Sequence, residues 1–273
     1  MNKHRKVSVI IPCFNQGEFL SEAIASVLAT KRDDLEIIVV DDGSTDERTR
    51  KETDAVAAQG ITVIRKQNGG PASARNAAMT VASGEYIFPL DADDHMRPDC
   101  LDREVPILDN NPQVGVVYSD GEFFGIRSGR WNIGSFDANR LLRWNYIACC
   151  ALFRRRIWEQ IGGYDEADVL RGLEDWDFWL GAMKHGLQFA YVPEVLYEYR
   201  VAKESMITRA QAYHDDTEKF IATKYGPLYR KEFMKILSDR ELERESGRAT
   251  FNNLRRILKS RLKQKFQRDG KQG

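Results

Sequence analysis

The sequence predicts an α/β domain built on a mostly parallel sheet with helices on both faces. Short, near-continuous apolar runs recur through residue 118, separated by stretches of helical character. Strands buried on both faces lose the in–out alternation of a half-exposed sheet, so this pattern marks parallel strands covered by helices. Polar turn clusters also follow the first, second and fourth of these runs, as they do where a ligand crevice opens beyond the strand ends.

The elements follow in order. Residues 7–11 form a β-branched run, a first strand. Over 18–28, Phe19, Ala23, Ile24, Val27 and Leu28 share one helical stripe. Residues 35–40 (LEIIVV) make a second strand, 45–58 a polar helix and 61–65 a third strand. Gly69-Gly70-Pro71 starts another helix, with Pro71 in the first turn where its missing N–H costs little. That helix ends near Gly84; 85–90 and 114–118 read as the fourth and fifth strands. Residues 120–145 show no period and are expected to be irregular, beside a binding cleft. Residues 146–153 look strand-like, 155–161 helical, Gly162-Gly163 a turn, 174–185 helical, and 188–192 and 195–199 two short strands. Beyond 205 the chain is helical and charged. The expected division is a domain over 1–205 and a helical extension over 206–273.

Lys+Arg and Asp+Glu are both 41, so the net charge is zero and a general nucleic-acid-binding surface is not expected. The balance is uneven: Arg248 to Gly273 holds nine Lys/Arg against Asp269 alone. The four cysteines (Cys13, Cys100, Cys149, Cys150) show no C-x-x-C spacing, which fits a reducing compartment and neither a zinc site nor a disulfide framework. The apolar runs are far short of the roughly 18 residues of a membrane span, and Pro12 and Asn15 cut the first too short for a secretory signal. A cytoplasmic protein is expected.

Three polar clusters converge at the strand ends: Pro12 to Asn15, Asp41 to Ser44, and Asp91 to Asp94. Acidic residues after strands serve equally as helix caps or turn formers, and Thr45 and Asp46 fit that plainer role. Five carboxylates at one edge, however, repel one another unless a cation joins them. Oxygen ligation selects a hard cation, magnesium or manganese, of the kind that bridges substrate phosphates.

The segments VSVIIPCFN (7–15), EIIVVDDGSTD (36–46), NGGPASARNAA (68–78), GEYIFPLDADD (84–94), GGYDE (162–166) and GLEDWDFWL (172–180) resemble, in order, the inverting family-2 glycosyltransferases. The resemblance covers residues 6–205. It implies a GT-A fold, a nucleotide-diphospho-sugar donor and Mn2+ or Mg2+. By the same resemblance, Pro12, Phe14 and Asn15 line the nucleobase and ribose. Asp42, with Asp41 beside it, accepts from a base imide N–H, which favours uracil or thymine. Asp91-Ala92-Asp93 resembles the D-x-D motif, with Asp93 on the metal and Asp91 on ribose or metal, while Asp94 supports the site. Arg75 is placed on the diphosphate, although an Arg on a helix also fits a salt-bridged residue, and Arg200 closes over the same group. Asp175 matches the catalytic base and Glu174 a donor contact; on their own, both also fit first-turn acids favoured by the helix dipole. Trp176 is open to stacking on a sugar, whereas Trp179 reads as core.

The chain lacks the Q-x-x-R-W pattern of processive synthases, so single transfer is expected, of hexosyltransferase type, from a UDP- or dTDP-linked sugar. The expected acceptor is a glycan or lipid-linked glycan in cell-envelope polysaccharide biosynthesis. The rival readings are a sugar nucleotidyltransferase and a non-catalytic scaffold. From 251 to 268, Phe251, Leu254, Ile257, Leu258, Leu262 and Phe266 share one helical face flanked by basic residues. Such a helix fits an anionic membrane interface, or packs on the domain with its charges in solvent. A peripheral place at the inner face of the cell membrane follows from the first.

Overall fold

The computed structural model describes residues 7–202, 214–235 and 238. Its first compact unit runs to Tyr225 and is described below; the second begins at Gly226, and its described residues, 226–235 and 238, are helical. The boundary expected at 205 and the basic tail at 251–268 lie outside the described residues.

One half of the sheet follows the pattern read from the sequence. Strands β1 (Val7–Cys13), β2 (Leu35–Asp41), β3 (Thr62–Arg65) and β4 (Tyr86–Pro89) lie parallel in the order β3-β2-β1-β4. Helices α1 (Gly17–Leu28), α2 (Glu47–Ala58) and α3 (Gly70–Val81) connect them. The strand order reverses at β1, so the crevice beyond its carboxyl end is bounded by the ends of β2 and β4.

The other half departs from expectation. The sheet is mixed: β8 (Leu152–Arg154) runs antiparallel between β4 and β6 (Val114–Gly125). Strand β6 extends well past 118 and turns back into β7 (Gly129–Trp131), and α5 (Ala138–Arg143) follows, so 120–145 is largely regular. Only the end of the expected 146–153 strand forms; earlier in that stretch the Ile147 carbonyl accepts from Trp179 Nε1 at 3.2 Å. The two expected late strands are one, β9 (Gln188–Val201), whose register slips between the Ser119–Val192 and Asp120–Val195 pairs, around Pro193. Pro193 has no N–H for the ladder, so the interruption falls there. Strand β5 (His95–Met96) closes that edge against β9. Helices α6 (Arg155–Ile161) and α7 (Glu174–Lys184) form where expected, with a 3-10 turn at Asp168–Leu170 before α7 and α8 (His214–Lys224) after the sheet. No helix among the described residues is long and apolar enough to cross a membrane.

The sequence reading missed α4 (Cys100–Asn110), because Glu104 and Pro106 interrupt its apolar stripe. Glu104 is fully buried, and apart from the weak donor of the Cys100 thiol its carboxylate oxygens have no hydrogen-bond partner. Burial pushes its carboxyl well above the usual carboxylate range. A group with a raised folded pKa contributes stability below its unfolded pKa, and that contribution is lost as pH rises. Glu104→Met is therefore expected to raise stability at neutral pH by about 1–3 kcal/mol, the cost of a poorly paired buried polar group. Melting curves at pH 5 and 8 check it: the gain should be larger at pH 8, and a less stable variant there would contradict the account.

Candidate active site

The loops after β1 and β2 are tied together before any ligand is considered. Asn15 adopts a positive φ of 55°, which Asn tolerates, and its Oδ1 accepts from Thr45 N at 2.8 Å while its own N–H donates to Ser44 Oγ at 3.1 Å. Asp46 caps α2 by accepting from Thr49 N at 2.7 Å, the plainer role weighed for it. Asp41 is buried and accepts from Ser44 N at 2.9 Å. Gly43 has a φ of 76°, and any Cβ there would press on the Asn68 backbone N.

Asp42 is buried under three donors: Lys66 Nζ and Gly70 N, each at 2.8 Å, and Gly69 N at 3.0 Å. It thus spends most of its accepting capacity on the start of α3. Beside it lies an open hollow lined by Gly43, Ser44, Thr45, Arg50, Lys66 and Asn68. Pro12 is half-buried at the end of β1, and the Phe14 ring is exposed.

Beyond β4, Asp91, Asp93 and Asp94 stand around the fully buried Ala92. Asp91 is one-third exposed; its Oδ1 accepts from Arg75 Nη2 at 2.7 Å and its Oδ2 from the Cys149 thiol at 3.4 Å. The Arg75 guanidinium is only 2% exposed and pairs through Nη1 with Glu174. Glu174 Oε2 also accepts from Gly172 N at 2.7 Å. Arg75 therefore bridges the D-x-D segment to the residue before Asp175, and Glu174 is engaged with protein on both oxygens.

Burial, reinforced by the charge of Asp91, pushes Asp93 up to about 6. Burial, with the Cys150 thiol and the neighbouring carboxylates adding to it, holds Asp94 well above the usual range; it accepts from Arg200 N at 2.8 Å. The Arg200 guanidinium lies between the rings of Phe19 and Phe124, 4.3 and 4.4 Å from their centroids, and its Nε donates to the Asp93 carbonyl at 2.9 Å. His95 stacks on the same Phe124, with Nδ1 3.0 Å from Glu198.

Asp175 sits in the first turn of α7, half-buried, with Oδ1 accepting from Trp176 N at 2.9 Å. Burial and then the charge of Glu174 push its carboxyl up to about 7, against the Asn145 side-chain amide and Arg75. Trp176 is core: it is 1% exposed and its Nε1 donates to the Leu141 carbonyl at 2.6 Å, so it offers no face to a sugar. Trp179 is likewise buried, as expected.

The sequence model described as Glycosyl transferase family 2 matches residues 8–162, more than half of the chain. The chain belongs to this family of glycosyltransferases. The putative glycosyltransferase EpsE of Bacillus subtilis is 29% identical over 224 residues, 79% of this chain and 80% of that protein. TarS of Staphylococcus aureus in complex with UDP-GlcNAc superposes with a TM-score of 0.63 at 20% identity, covering 80% of this chain and 66% of that one. A mannosyltransferase of Pyrobaculum calidifontis in complex with GDP-Man and Mn2+ gives 0.62 at 23%, covering 82% and 65%. These likenesses show the GT-A fold. The chain spans 24%, 36% and 65% of the length of the first three curated relatives it matches.

The matched family segment holds the clusters around Asp42 and Asp93 together with Arg75, but stops before Glu174, Asp175 and Arg200. Sequence reasoning missed three residues that hold the candidate site residues and the loops around them. Asn76 uses its whole amide on the loop after α6: Oδ1 accepts from Tyr164 N and Trp158 Nε1, each at 2.8 Å, and Nδ2 donates to the Tyr164 carbonyl at 2.9 Å and Glu166 at 2.8 Å. Its place beside Arg75 was the available signal. Lys66 and Asn145 carried none, because their partners are distant in sequence.

Proposed function

We propose that this glycosyltransferase is metal-dependent and inverting, and that it moves one sugar from a nucleotide-diphospho-sugar to a glycan or lipid-linked acceptor of a surface polysaccharide. One observation carries the reading: Arg75 joins Asp91 of the D-x-D segment to Glu174, the residue before Asp175.

The metal reading fits the donor set. Asp91 and Asp93 are like-charged oxygen donors, and Asp93 resists ionisation partly because of Asp91. Among the described residues no group of three or more His, Cys, Asp or Glu could hold a metal alone. Asp93, with Asp91, would hold the cation, and donor phosphates and water would complete its shell. When bound, a divalent cation supplies Lewis-acid stabilisation of the leaving diphosphate. Asp175 takes the proton of the acceptor hydroxyl as its oxygen bonds to the anomeric carbon and the carbon–phosphate oxygen bond breaks. Attack from the face opposite the leaving group inverts that carbon.

The exposed Phe14 supports a stacked base, either one with an imide N–H, as in UDP or dTDP, or guanine with its N1–H; Asp42 has for that donor only the accepting capacity that Lys66, Gly69 and Gly70 leave. The UDP-GlcNAc complex of TarS supports the first class and the GDP-Man and Mn2+ complex of the archaeal enzyme the second. The basic amphipathic pattern of 251–268 supports peripheral membrane contact near a lipid-linked acceptor. A panel of UDP-, dTDP- and GDP-sugars, with and without manganese, tests the proposal. One nucleotide class is expected to raise the melting temperature in manganese and to release nucleoside diphosphate, since a ligand that binds the native state stabilises it. In a parallel assay with a nucleoside triphosphate and a sugar 1-phosphate, release of pyrophosphate would identify a nucleotidyltransferase; no binding in either assay would identify a scaffold.

A further inference from the structure

Helix α8 lies beyond the residues that the family match covers, yet it bonds to both sides of the segment that carries Asp175. Thr217 Oγ1 donates to the Val169 carbonyl in the 3-10 turn at 2.6 Å. Lys224 Nζ lies 2.8 Å from Asp165 Oδ2, in the loop held by Asn76, and 2.8 Å from Asp177 Oδ2, in the first turn of α7. Tyr225 Oη lies 2.8 Å from the Asp177 carbonyl and 3.0 Å from its Oδ1. Ile221 and Tyr225 are buried, so the helix is seated by apolar packing as well as by these bonds.

The chemistry of that first turn explains why such a clamp has a purpose. Glu174, Asp175 and Asp177 stand within four residues, and all three carboxyl groups are at least half-buried. Like charges this close push one another apart unless cations meet them. Arg75 meets Glu174 from α3, and Lys224 meets Asp177 from α8. Asp175 stands between two neutralised neighbours and, among the described residues, has no ion pair of its own; the Trp176 N–H and the Asn145 side chain meet it.

We propose that Lys224 and Tyr225 are positioning residues for Asp175: by fixing Asp177 and Asp165 they hold the first turn of α7 in the geometry that proton abstraction needs. The inference rests on the reading of Asp175 as the base. It makes α8 part of the catalytic unit. A base displaced by a fraction of an ångström still allows the donor to bind but loses its near-attack alignment with the acceptor oxygen.

The test compares Lys224→Met, Lys224→Arg and Tyr225→Phe in the full chain, with Asp175→Asn alongside. Hydrolysis of UDP-GlcNAc, UDP-glucose and UDP-galactose is followed in manganese, using whichever turns over fastest, and UDP affinity is measured by calorimetry. Lys224→Met is expected to lower kcat by roughly 10–100-fold with KM and UDP affinity unchanged. Lys224→Arg, which keeps a charge able to reach both carboxylates, should restore most of the loss. Tyr225→Phe keeps the buried ring and should show a smaller fall in kcat at the same KM; if Lys224→Met does not fold, this variant decides. An unchanged kcat in these variants overturns the clamp, as does a loss of UDP affinity that parallels the loss of kcat, or an Arg variant no better than Met. Full turnover in Asp175→Asn overturns instead the assignment of the base on which the clamp depends.

Discussion

Asp175→Asn is expected to lower turnover by about 10²–10⁴-fold, the usual worth of a positioned general base, while donor affinity holds. The carboxyl is pushed up to about 7 by burial and by Glu174, and it must be ionised to accept a proton. The kcat of the parent should therefore rise with pH through about 7, and the residual rate of the Asn variant should lack that limb. Stability separates a base from a structural acid. Because the folded pKa lies above the ordinary value of 3.8, the contribution of Asp175 to stability is present below that value and lost as pH rises through about 7. At pH 8 the Asn variant should melt at or above the parent. A fall in donor affinity matching the fall in turnover, or a lower melting temperature at pH 8, would show that Asp175 serves the fold and not proton transfer.

The parallel half of the sheet was legible because its physics is local. Strands buried on both faces read as unbroken runs such as Ile37 to Val40, and the crevice residues follow them within a few positions. The antiparallel half was not. Strand β6 runs on into Asp120 and Glu122, which look like the end of a buried strand. Asp120 is tolerated inside because Ile133 N, Arg130 and Tyr191 come to it from other elements, at 2.8, 2.7 and 2.7 Å. Strand β8 has three residues, too few to show a period.

The site divides in the same way. Asp42, Asp91 and Asp93 announce themselves as clusters after strands. In sequence Arg75 fits a diphosphate contact or a salt-bridged residue, and Glu174 a donor contact or a first-turn acid; the structure pairs them with each other across 99 residues of sequence. Trp176 shares its helix with Asp175, but the carbonyl its indole seeks belongs to α5. Periodicity marks which face of a helix is apolar; it does not say which distant groups will satisfy the polar atoms on that face.

Asp93→Ala is expected to abolish manganese-stimulated turnover and to leave donor binding at the level that the parent shows in chelator. Loss of Lewis-acid stabilisation worth several kcal/mol corresponds to a rate loss of at least about 10³-fold. The variant should nevertheless fold. Asp93 resists ionisation up to about 6, through burial and then the charge of Asp91, so its ionised form is a burden on the native state at neutral pH. The sign follows as for Asp175: its contribution to stability is present below 3.8 and lost as pH rises through about 6, so removing it should hold or raise the melting temperature at pH 7. Asp91→Ala should differ, because Asp91 also anchors Arg75 at 2.7 Å and its removal leaves a guanidinium, 2% exposed, with one carboxylate fewer. That variant should lose both turnover and thermal stability. Full activity of Asp93→Ala, or of the parent in excess chelator, would sink the metal-dependent mechanism. Equal melting temperatures for the two variants would leave the D-x-D carboxylates without the division of labour argued from Arg75, in which Asp91 holds the site together and Asp93 faces the cation.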